Sequence, residues 1–484
     1  MNNNHSNLTK IIVVFLAKAM KGVGALLLTY VLAKKYGAYG SGLFFISYTF
    51  AFLCAQFAQL GIGNSCLKYA PVLKNDDPQN LSFLWTASQA IVGTFAGLFL
   101  IVIFFSSSFI SNLVFKTPDN YQYILCASPV ILFWSLAKIN IYFRQSLGDM
   151  SGITLVENLM LPLGMLLIAG ASYVVDISVL NFISAVSVLF FISFAYSFYS
   201  TKKTYSLKFN LSFTGPVTVK DMLVYSVPLL IIAFSQNSLM WINTLILGGI
   251  GSVVDSAVYV AAMKVAMSIS ILLYTFNSVY APQISSAYAK KDFESIKNLY
   301  GDVTHSLSFF SFLFLAGVAL YSDYIMAAFG VEYLVGTNCL LFLLLGQIFN
   351  CYTGPVGYIL ILSGQSKLEV INTVAGLCLN AALCFIFYRS FGVSGAGLAF
   401  CVSNALINLL RYFQCRHLFG LRWLGKVQAG FIGLQGLLAI SFVIMNAFDF
   451  NRELIAVALG STYLLVNVRT IKKLWTNLKV THAV

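Results

Sequence analysis

The sequence predicts an all-α polytopic membrane protein with about 14 transmembrane helices, arranged as two six-helix lobes around a central cavity plus two extra C-terminal helices. Its 484 residues are 59% hydrophobic and only 9% charged, and the mean hydropathy is +0.84. Soluble domains are roughly 45–50% apolar and about 25% charged, so a soluble globular protein is excluded. Because each span needs about 20 apolar residues, 14 spans leave only short connectors and no extramembrane domain.

Apolar stretches joined by short polar connectors define the predicted helices in order. The stretches lie near 11–33, 41–62, 82–106, 121–143, 152–173, 177–200, 221–247, 256–283, 302–322, 335–362, 368–389, 393–415, 427–448 and 452–468. The predicted regions are an N-terminal lobe over 1–200, a cytoplasmic linker over 201–220, a C-terminal lobe over 221–415, and two further spans with a cytoplasmic tail over 416–484.

The distribution of Lys and Arg predicts the orientation. With the N-terminus inside, 20 of the 29 basic residues fall on the inner side and five on the outer side. Because cytoplasmic loops carry an excess of Lys and Arg, we expect a multi-pass protein of the cell (inner) membrane with both termini in the cytoplasm. The net charge of +13 mostly reflects this topology, so we expect no nucleic-acid partner. The five outer residues are Lys34, Lys35, Lys116, Arg389 and Arg452.

Cysteine usage and the lack of nucleotide motifs limit the chemistry. The nine cysteines are odd in number and lie mostly in apolar stretches, which is typical of small buried side chains and not of a disulfide framework. No Cys or His spacing resembles a zinc site, and no glycine-rich phosphate loop occurs. We therefore expect no metal and no bound cofactor, and we do not expect ATP-driven transport by this chain alone.

An internal repeat favours a transporter. Residues 36–45 (YGAYGSGLFF) and 391–400 (FGVSGAGLAF) are identical at five of ten positions, three of them glycine. Glycine suits a turn between two helices because it adopts left-handed backbone angles and allows close helix approach. A second echo joins 69–71 to 280–282, both Tyr-Ala-Pro. Parallel repeats are typical of transporters that bind substrate between two lobes; chance similarity among glycine-rich turns is the alternative.

Four short motifs, in matching order along nearly the whole chain, resemble a known family. They are YGAYG at 36–40, FGVEY at 329–333, GQSK at 364–367 and FGVSGAG at 391–397. Together they resemble the polysaccharide transporter (O-antigen-type flippase) family of the multidrug/oligosaccharidyl-lipid/polysaccharide exporter superfamily. The resemblance implies a flippase that moves a polyprenyl-pyrophosphate-linked oligosaccharide from the cytoplasmic to the outer leaflet by alternating access. Membrane lipids and other polysaccharide assembly proteins are the further partners that it implies.

Three lysines inside predicted spans are candidates for binding the diphosphate of such a substrate. Lys18 and Lys21 are three positions apart in the first span and share one helix face, and Lys264 lies in the eighth span. A charge at the centre of a span costs about 2.5–3.5 kcal/mol on insertion scales, so such residues usually face a cavity. Structural pairing of these lysines is the alternative.

Lys138 and Glu157 lie at equal predicted depth on consecutive spans. We expect a charge-compensated pair, and the alternative is that Glu157 couples transport to entry of H⁺ or Na⁺. With this pair cancelled, the three other lysines would leave a cavity charge of +3, which suits a diphosphate.

Polar residues in the seventh span could contact sugar hydroxyls. The candidates are Gln236, Asn237, Trp241 and Asn243, and interhelical hydrogen bonding is the alternative for all of them.

Three other functions stay open. A lipid II flippase would also favour a cationic cavity, but the glycine and acidic pattern expected in its early helices is absent. A cation-coupled multidrug exporter should carry acidic residues in its first span, which has none. A membrane polysaccharide polymerase or ligase needs a long outer loop, and the outer connectors here are short. We therefore expect a secondary transporter and not an enzyme.

Overall fold

The computed structural model describes residues 2–76, 78–116, 118–210, 217–421, 435 and 461–463. Helices account for nearly all of these residues, and no strand occurs among them. The first helices are α1 (Asn2–Ala58), α2 (Ile62–Asp76), α3 (Pro78–Phe115), α4 (Tyr121–Ala127), α5 (Pro129–Ser146), a π-helical segment (Ile153–Met160), α6 (Leu161–Ala171) and α7 (Val179–Thr204). The others are α8 (Val219–Ile250), α9 (Val253–Met267), α10 (Ser270–Ala289), α11 (Phe293–Leu320), α12 (Ser322–Phe329), α13 (Thr337–Thr353), α14 (Val356–Leu362) and α15 (Ser366–Phe419). Short 3₁₀ turns cover Pro118–Asn120 and Val331–Gly336.

Eight helical stretches of the described residues are long and apolar enough to span a membrane. The all-α, multi-pass prediction is therefore confirmed, while the number 14 stays a prediction. The stretch Ser366–Phe419 contains two of the predicted spans, and Met20–Ala58 covers parts of two others. The predicted spans at 427–448 and 452–468 lie almost entirely outside the described residues.

The glycines of the internal repeat interrupt these two long helices at matching positions. Gly37 bends α1 with φ 65° and ψ −174°, and Gly392 bends α15 with φ 55° and ψ −140°. A positive φ is strained for residues with a Cβ atom but is open to glycine. The prediction that glycine serves a turn between two helices is confirmed at both sites.

Close helix approach explains two further repeat glycines. A Cβ atom at Gly42 would overlap the carbonyl oxygen of Val253 in α9, and one at Gly397 would lie 2.7 Å from the carbonyl oxygen of Cys339 in α13. Each glycine thus lets its helix pack directly on the backbone of a neighbour. The two copies of the repeat therefore share a helix bend at one glycine and a close helix contact at another, as well as identical residues.

The chain packs as two compact units. The first comprises the described residues of Met1–Ser268 with Met326–Cys339 and Thr373–Ala399. The second comprises Ile269–Ile325, Leu340–Asn372 and the described residues of Phe400–Val484. These units do not test the predicted lobes, which stay a prediction.

The 38-residue helix α3, about 57 Å long at 1.5 Å per residue, separates two ends of the first unit. At its beginning, Asn210 Nδ2 donates to the carbonyl oxygen of Gln79 at 3.3 Å. At its end, Lys116 Nζ donates to the carbonyl oxygen of Ile250. Predicted inner and outer connectors therefore lie at opposite ends of the unit. Which end faces the cytoplasm stays a prediction.

A buried ion pair in the second unit joins the two halves of α15. Arg411 Nη2 lies 2.5 Å from Glu369 Oε1 and Nε donates to Oε2 at 2.9 Å. Their side chains are 13% and 4% exposed, and Arg411 also donates to Asn408 Oδ1. This two-pronged geometry is the strong, directional form of the guanidinium–carboxylate contact.

Candidate functional site

The first unit encloses a cavity of about 360 Å³. Its walls combine aromatic rings, small residues and a few polar side chains. Such apolar concave sites with few convergent polar groups are typical of ligand-binding sites. The lining includes Lys21, Gly24, Tyr48, Phe52, Gln56, Gln59, Asn64, Trp134, Lys138, Tyr142, Glu157, Pro162, Trp241 and Lys264.

Glu157 connects two lysines at the edge of the cavity. Lys21 Nζ donates to Glu157 Oε1 at 2.7 Å, and Lys138 Nζ donates to Oε2 at 2.7 Å. The exposed fractions of the side chains are 46% for Lys21, 18% for Lys138 and 20% for Glu157. The structure thus brings Lys138 and Glu157 together and adds Lys21, which we had expected to be unpaired. Among the described side chains of the lining, three ammonium groups face one carboxylate, a net charge of +2.

The π-helical segment Ile153–Met160 carries Glu157. Pro162 follows it and has no N–H to donate to the carbonyl group one turn earlier, so the regular α-helical ladder is interrupted near this point. Wide turns of this kind often occur at functional sites. Gly152 precedes the segment and Leu161 follows it. Glu157, Leu161 and Pro162 all line the cavity, which shows that the segment lies beside it.

Lys264 approaches the same cavity from α9. Its ammonium group lies 4.2 Å from the centroid of the Trp241 ring, within the range of a cation–π contact. It also lies in the last turn of α9, where the helix dipole favours a positive charge. No ion pair of the described side chains includes Lys264. It is therefore the cavity charge that is best placed to attract an anion.

Aromatic rings form one wall. Phe52 stacks on Trp134 with 6.4 Å between ring centroids and meets Trp241 at 6.1 Å. Lys138 Nζ lies 5.3 Å from the Trp134 centroid and 5.1 Å from that of Tyr142. The rings therefore hold the cations in place and present apolar faces to the cavity.

The remaining predicted site residues are placed differently. Lys18, Gln236 and Asn237 lie in helices, but the structure does not describe their side chains. Asn243 is fully buried and does not line the cavity. Its Nδ2 donates to Tyr259 at 3.1 Å, and Asn380 donates to its Oδ1 at 2.9 Å. These contacts are interhelical hydrogen bonds, so Asn243 forms no part of the function proposed below.

The sequence reasoning missed Gln56 and Gln59, which lie three positions apart in α1 and line the cavity. Gln56 Oε1 is buried without a hydrogen-bond partner among the described atoms, so it can accept a bond from a ligand hydroxyl. The three-residue spacing of two amides in an apolar span was a signal of one polar helix face. No group of three or more His, Cys, Asp or Glu in the described part of the chain is placed to hold a metal.

Where α5 ends, Arg144 forms an ion pair of 2.7 Å with Asp149 of the following connector. Burial by itself would raise the pKa of the Asp149 carboxyl. Hydrogen bonds from Ser151 and Arg144, with the charge of Arg144, outweigh burial and hold that pKa below its usual value. The carboxylate therefore stays ionised and fixes the connector that precedes the π-helical segment.

Residues 228–386 match the sequence profile of the MatE family. No curated protein sequence matches this chain. Several solved structures have the same fold. The inward-closed lipid II flippase MurJ aligns with a TM-score of 0.68 at 16% identity, over 95% of this chain and 100% of that chain.

Two multidrug exporters are also similar in structure. An inward-facing multidrug resistance MATE family transporter of the MOP superfamily aligns with a TM-score of 0.70 at 15% identity, over 84% of this chain and 98% of that chain. The MATE multidrug transporter DinF-BH aligns with a TM-score of 0.62 at 16% identity, over 85% of this chain and 95% of that chain. The protein therefore has the fold of a MOP-superfamily transporter. Within that fold it resembles both the flippase MurJ and the MATE exporters.

Proposed function

We propose that the protein is a flippase that translocates a polyprenyl-pyrophosphate-linked oligosaccharide from the cytoplasmic to the outer leaflet, for an O-antigen-like surface polysaccharide. The observation that carries this proposal is the charge of the cavity. Three lysines outnumber one carboxylate, and Lys264 has no acidic partner among the described side chains. A diphosphate ester is dianionic, so it complements a cavity whose described side chains carry a net charge of +2.

The form of the cavity supports the same substrate class. Its volume of about 360 Å³ is at the lower end of the range of small-ligand sites, which is enough for a diphosphate and the first sugar but not for a long lipid tail. The apolar faces of Phe52 and Trp134 can pack on a sugar ring. Lysine, as a mobile point charge, can release a phosphate as well as bind it.

A lipid II flippase is the second candidate, and the extent of the structural match favours it. MurJ aligns with 95% of this chain, whereas the two exporters align with 84% and 85%. Lipid II is also a lipid-linked diphosphate sugar, so the same lysines would bind it. The identity of the glycan that accumulates when the protein is removed distinguishes the two.

The two other functions are less well supported. A multidrug exporter for cationic compounds needs uncompensated negative charge, and Glu157 is engaged by two lysines. A polymerase or ligase would be an enzyme, whereas the structural matches are transporters and flippases. We propose that no cofactor takes part and that a gradient of H⁺ or Na⁺ drives the cycle.

The test is leaflet-resolved measurement of the lipid-linked glycan in a deletion strain that expresses variants. Lys264→Gln removes the cavity charge that lacks a carboxylate partner, so transport should fall at least tenfold and glycan should accumulate in the inner leaflet. Lys203→Gln, an exposed lysine at the end of α7, is the matched control and should transport normally. The same assay is repeated with the proton or sodium gradient collapsed. Normal outer-leaflet glycan in Lys264→Gln at equal protein level would contradict the proposal.

A further inference from the structure

Glu157 occupies the two lysines that an incoming diphosphate needs. Each carboxylate oxygen accepts one hydrogen bond of 2.7 Å, from Lys21 and from Lys138. A phosphate oxygen pair makes the same kind of charge-assisted contact to ammonium groups. The carboxylate therefore lies where an anionic ligand would bind. The carboxylate and the ligand compete for the hydrogen bonds that Lys21 and Lys138 donate.

We propose that Glu157 is an internal counter-anion, which the diphosphate of the substrate displaces from Lys21 and Lys138. The proposal rests on the function proposed above. Glu157 then contributes to specificity by competing with the substrate and not by binding it.

The ion pairs of Glu157 differ in kind from the fixed pair of the second unit. Arg411 holds Glu369 with two prongs of one guanidinium group, and both side chains are almost fully buried. Glu157 is instead held by two separate lysines beside an open cavity, and Lys21 is nearly half exposed. Lysine is a flexible point charge and imposes no fork geometry. These pairs can therefore exchange partners without leaving a charge buried and alone.

The backbone around Glu157 also favours exchange. The residue lies on the π-helical segment Ile153–Met160, whose hydrogen-bond ladder is less regular than that of an α-helix. Its side chain faces the cavity, so a released carboxylate can turn towards the water in the cavity. No burial of an unpaired charge is then needed, which is the main cost of breaking a buried ion pair.

Competition of this kind predicts selectivity by charge. A monoanion brings no more charge than the carboxylate that it replaces, so the exchange gains little. A diphosphate brings more charge and can also reach the ammonium group of Lys264, which lies over Trp241. After binding, the displaced carboxylate still repels the ligand, which limits affinity and favours release at the other side of the membrane.

The test is binding of inorganic pyrophosphate and of dimethyl phosphate, a monoanion, to the purified full-length protein by titration calorimetry. Glu157→Gln keeps the shape of the side chain but removes its charge. We expect it to bind pyrophosphate at least tenfold more tightly than wild type and to gain measurable affinity for dimethyl phosphate. Glu294→Gln, which changes a largely exposed glutamate outside the cavity lining, is the control and should bind as wild type does.

Equal or weaker pyrophosphate binding by Glu157→Gln would overturn the counter-anion while leaving the flippase proposal intact. No pyrophosphate binding by either protein would overturn both. If Glu157→Gln does not fold, Glu157→Asp keeps the charge but is one methylene shorter and cannot bridge both lysines as well. It should then bind pyrophosphate more tightly than wild type, and affinity that is unchanged or lower would reject the proposal.

Discussion

The ammonium group of Lys264 is held over the ring of Trp241 at 4.2 Å, which offers a cation a favourable contact without neutralising it. A cation–π contact contributes about 0.5–2 kcal/mol, depending on how far water is excluded. A carboxylate in the same place would cancel the charge. The contact therefore keeps the lysine both ordered and available to an anion, and it gives Trp241 a role in positioning Lys264. A direct contact between Trp241 and a sugar stays a prediction.

The pair of Arg144 and Asp149 gives a prediction at the scale of single residues. Asp149→Asn should lower the free energy of unfolding at pH 7 by about 1 kcal/mol, because one charge-assisted contact at a partly exposed site is lost. The pKa of Asp149 is lowered in the folded state, so its contribution is complete above the unfolded value of about 3.9. The contribution decreases as the pH falls below that value towards the folded pKa.

The stability difference between wild type and Asp149→Asn, measured by thermal unfolding in detergent, should therefore be constant from pH 7 to pH 5 and shrink below about pH 4. A difference that grows as the pH falls would contradict the assignment. Asp119→Asn, at an exposed turn, is the control and should leave stability unchanged across this range.

At the scale of elements, two of the four motifs that carry the family resemblance, at 36–40 and 329–333, contact each other. The backbone N–H of Ala38, just after the bend at Gly37, donates to Glu332 Oε2 at 3.0 Å. The hydroxyl groups of Ser41 and Tyr333 are hydrogen bonded at 2.7 Å. The segment of α1 that begins after the bend therefore receives an acidic cap from the 3₁₀ turn Val331–Gly336, which is favourable at a helix N-terminus. Ala38 and Glu332 are 294 positions apart in the sequence, and their contact joins the two motifs in one local structure.

Close packing at this end of α1 predicts the effect of a single methyl group. Gly42→Ala places a Cβ atom against the carbonyl oxygen of Val253, which must move away together with the first turn of α9. Overpacking of this kind costs about 1–3 kcal/mol. Thermal unfolding should show a clear loss of stability for this variant.

Gly97→Ala is the matched control. A Cβ atom at Gly97 in α3 has no heavy atom within 4 Å, so its stability should equal or slightly exceed that of wild type because alanine favours helix. Equal stability of the two variants would show that the contact between α1 and α9 is not close.

At the scale of the whole molecule, composition and repeats were sufficient for the helical, multi-pass fold and for its two glycine bends. They could not fix the rotation of each helix, on which the site depends. Lys138 and Glu157 could be paired by depth, but the approach of Lys21 to the same carboxylate across 136 positions required tertiary structure. The sequence also could not show that the side chain of Asn243, a candidate for sugar contact, does not line the cavity and forms hydrogen bonds between helices.

The π-helical segment was also hidden from the sequence. The pattern of apolar residues around Glu157 resembles that of an ordinary span, and Pro162 alone predicts a kink without saying which way the preceding side chains turn. Lys138 and Glu157 cancel in the cavity charge as expected, and Lys21 and Lys264 supply the +2 of the described side chains. The third lysine of the expected +3, Lys18, has a side chain that the structure does not describe.

The last prediction concerns the orientation of the molecule in the membrane. The excess of Lys and Arg places the end of α3 near Asp119 outside and the end of α7 at Lys203 inside. In intact cells an impermeant maleimide should label Asp119→Cys and spare Lys203→Cys, while both should be labelled once the cells are opened. Cys378 is exposed and the other native cysteines are buried or half-buried, so both substitutions belong in a Cys378→Ser background.

The reverse pattern would invert the orientation and, with it, the direction of the proposed flipping. Labelling of both positions in intact cells would place the two ends on the same side, which would contradict a membrane-spanning α3. The expected pattern would place the end of the first unit that contains Lys203 on the cytoplasmic side, where the lipid-linked glycan is made. It would also place Lys202, Lys203 and Lys208 on the side where the positive charges of a membrane protein are retained.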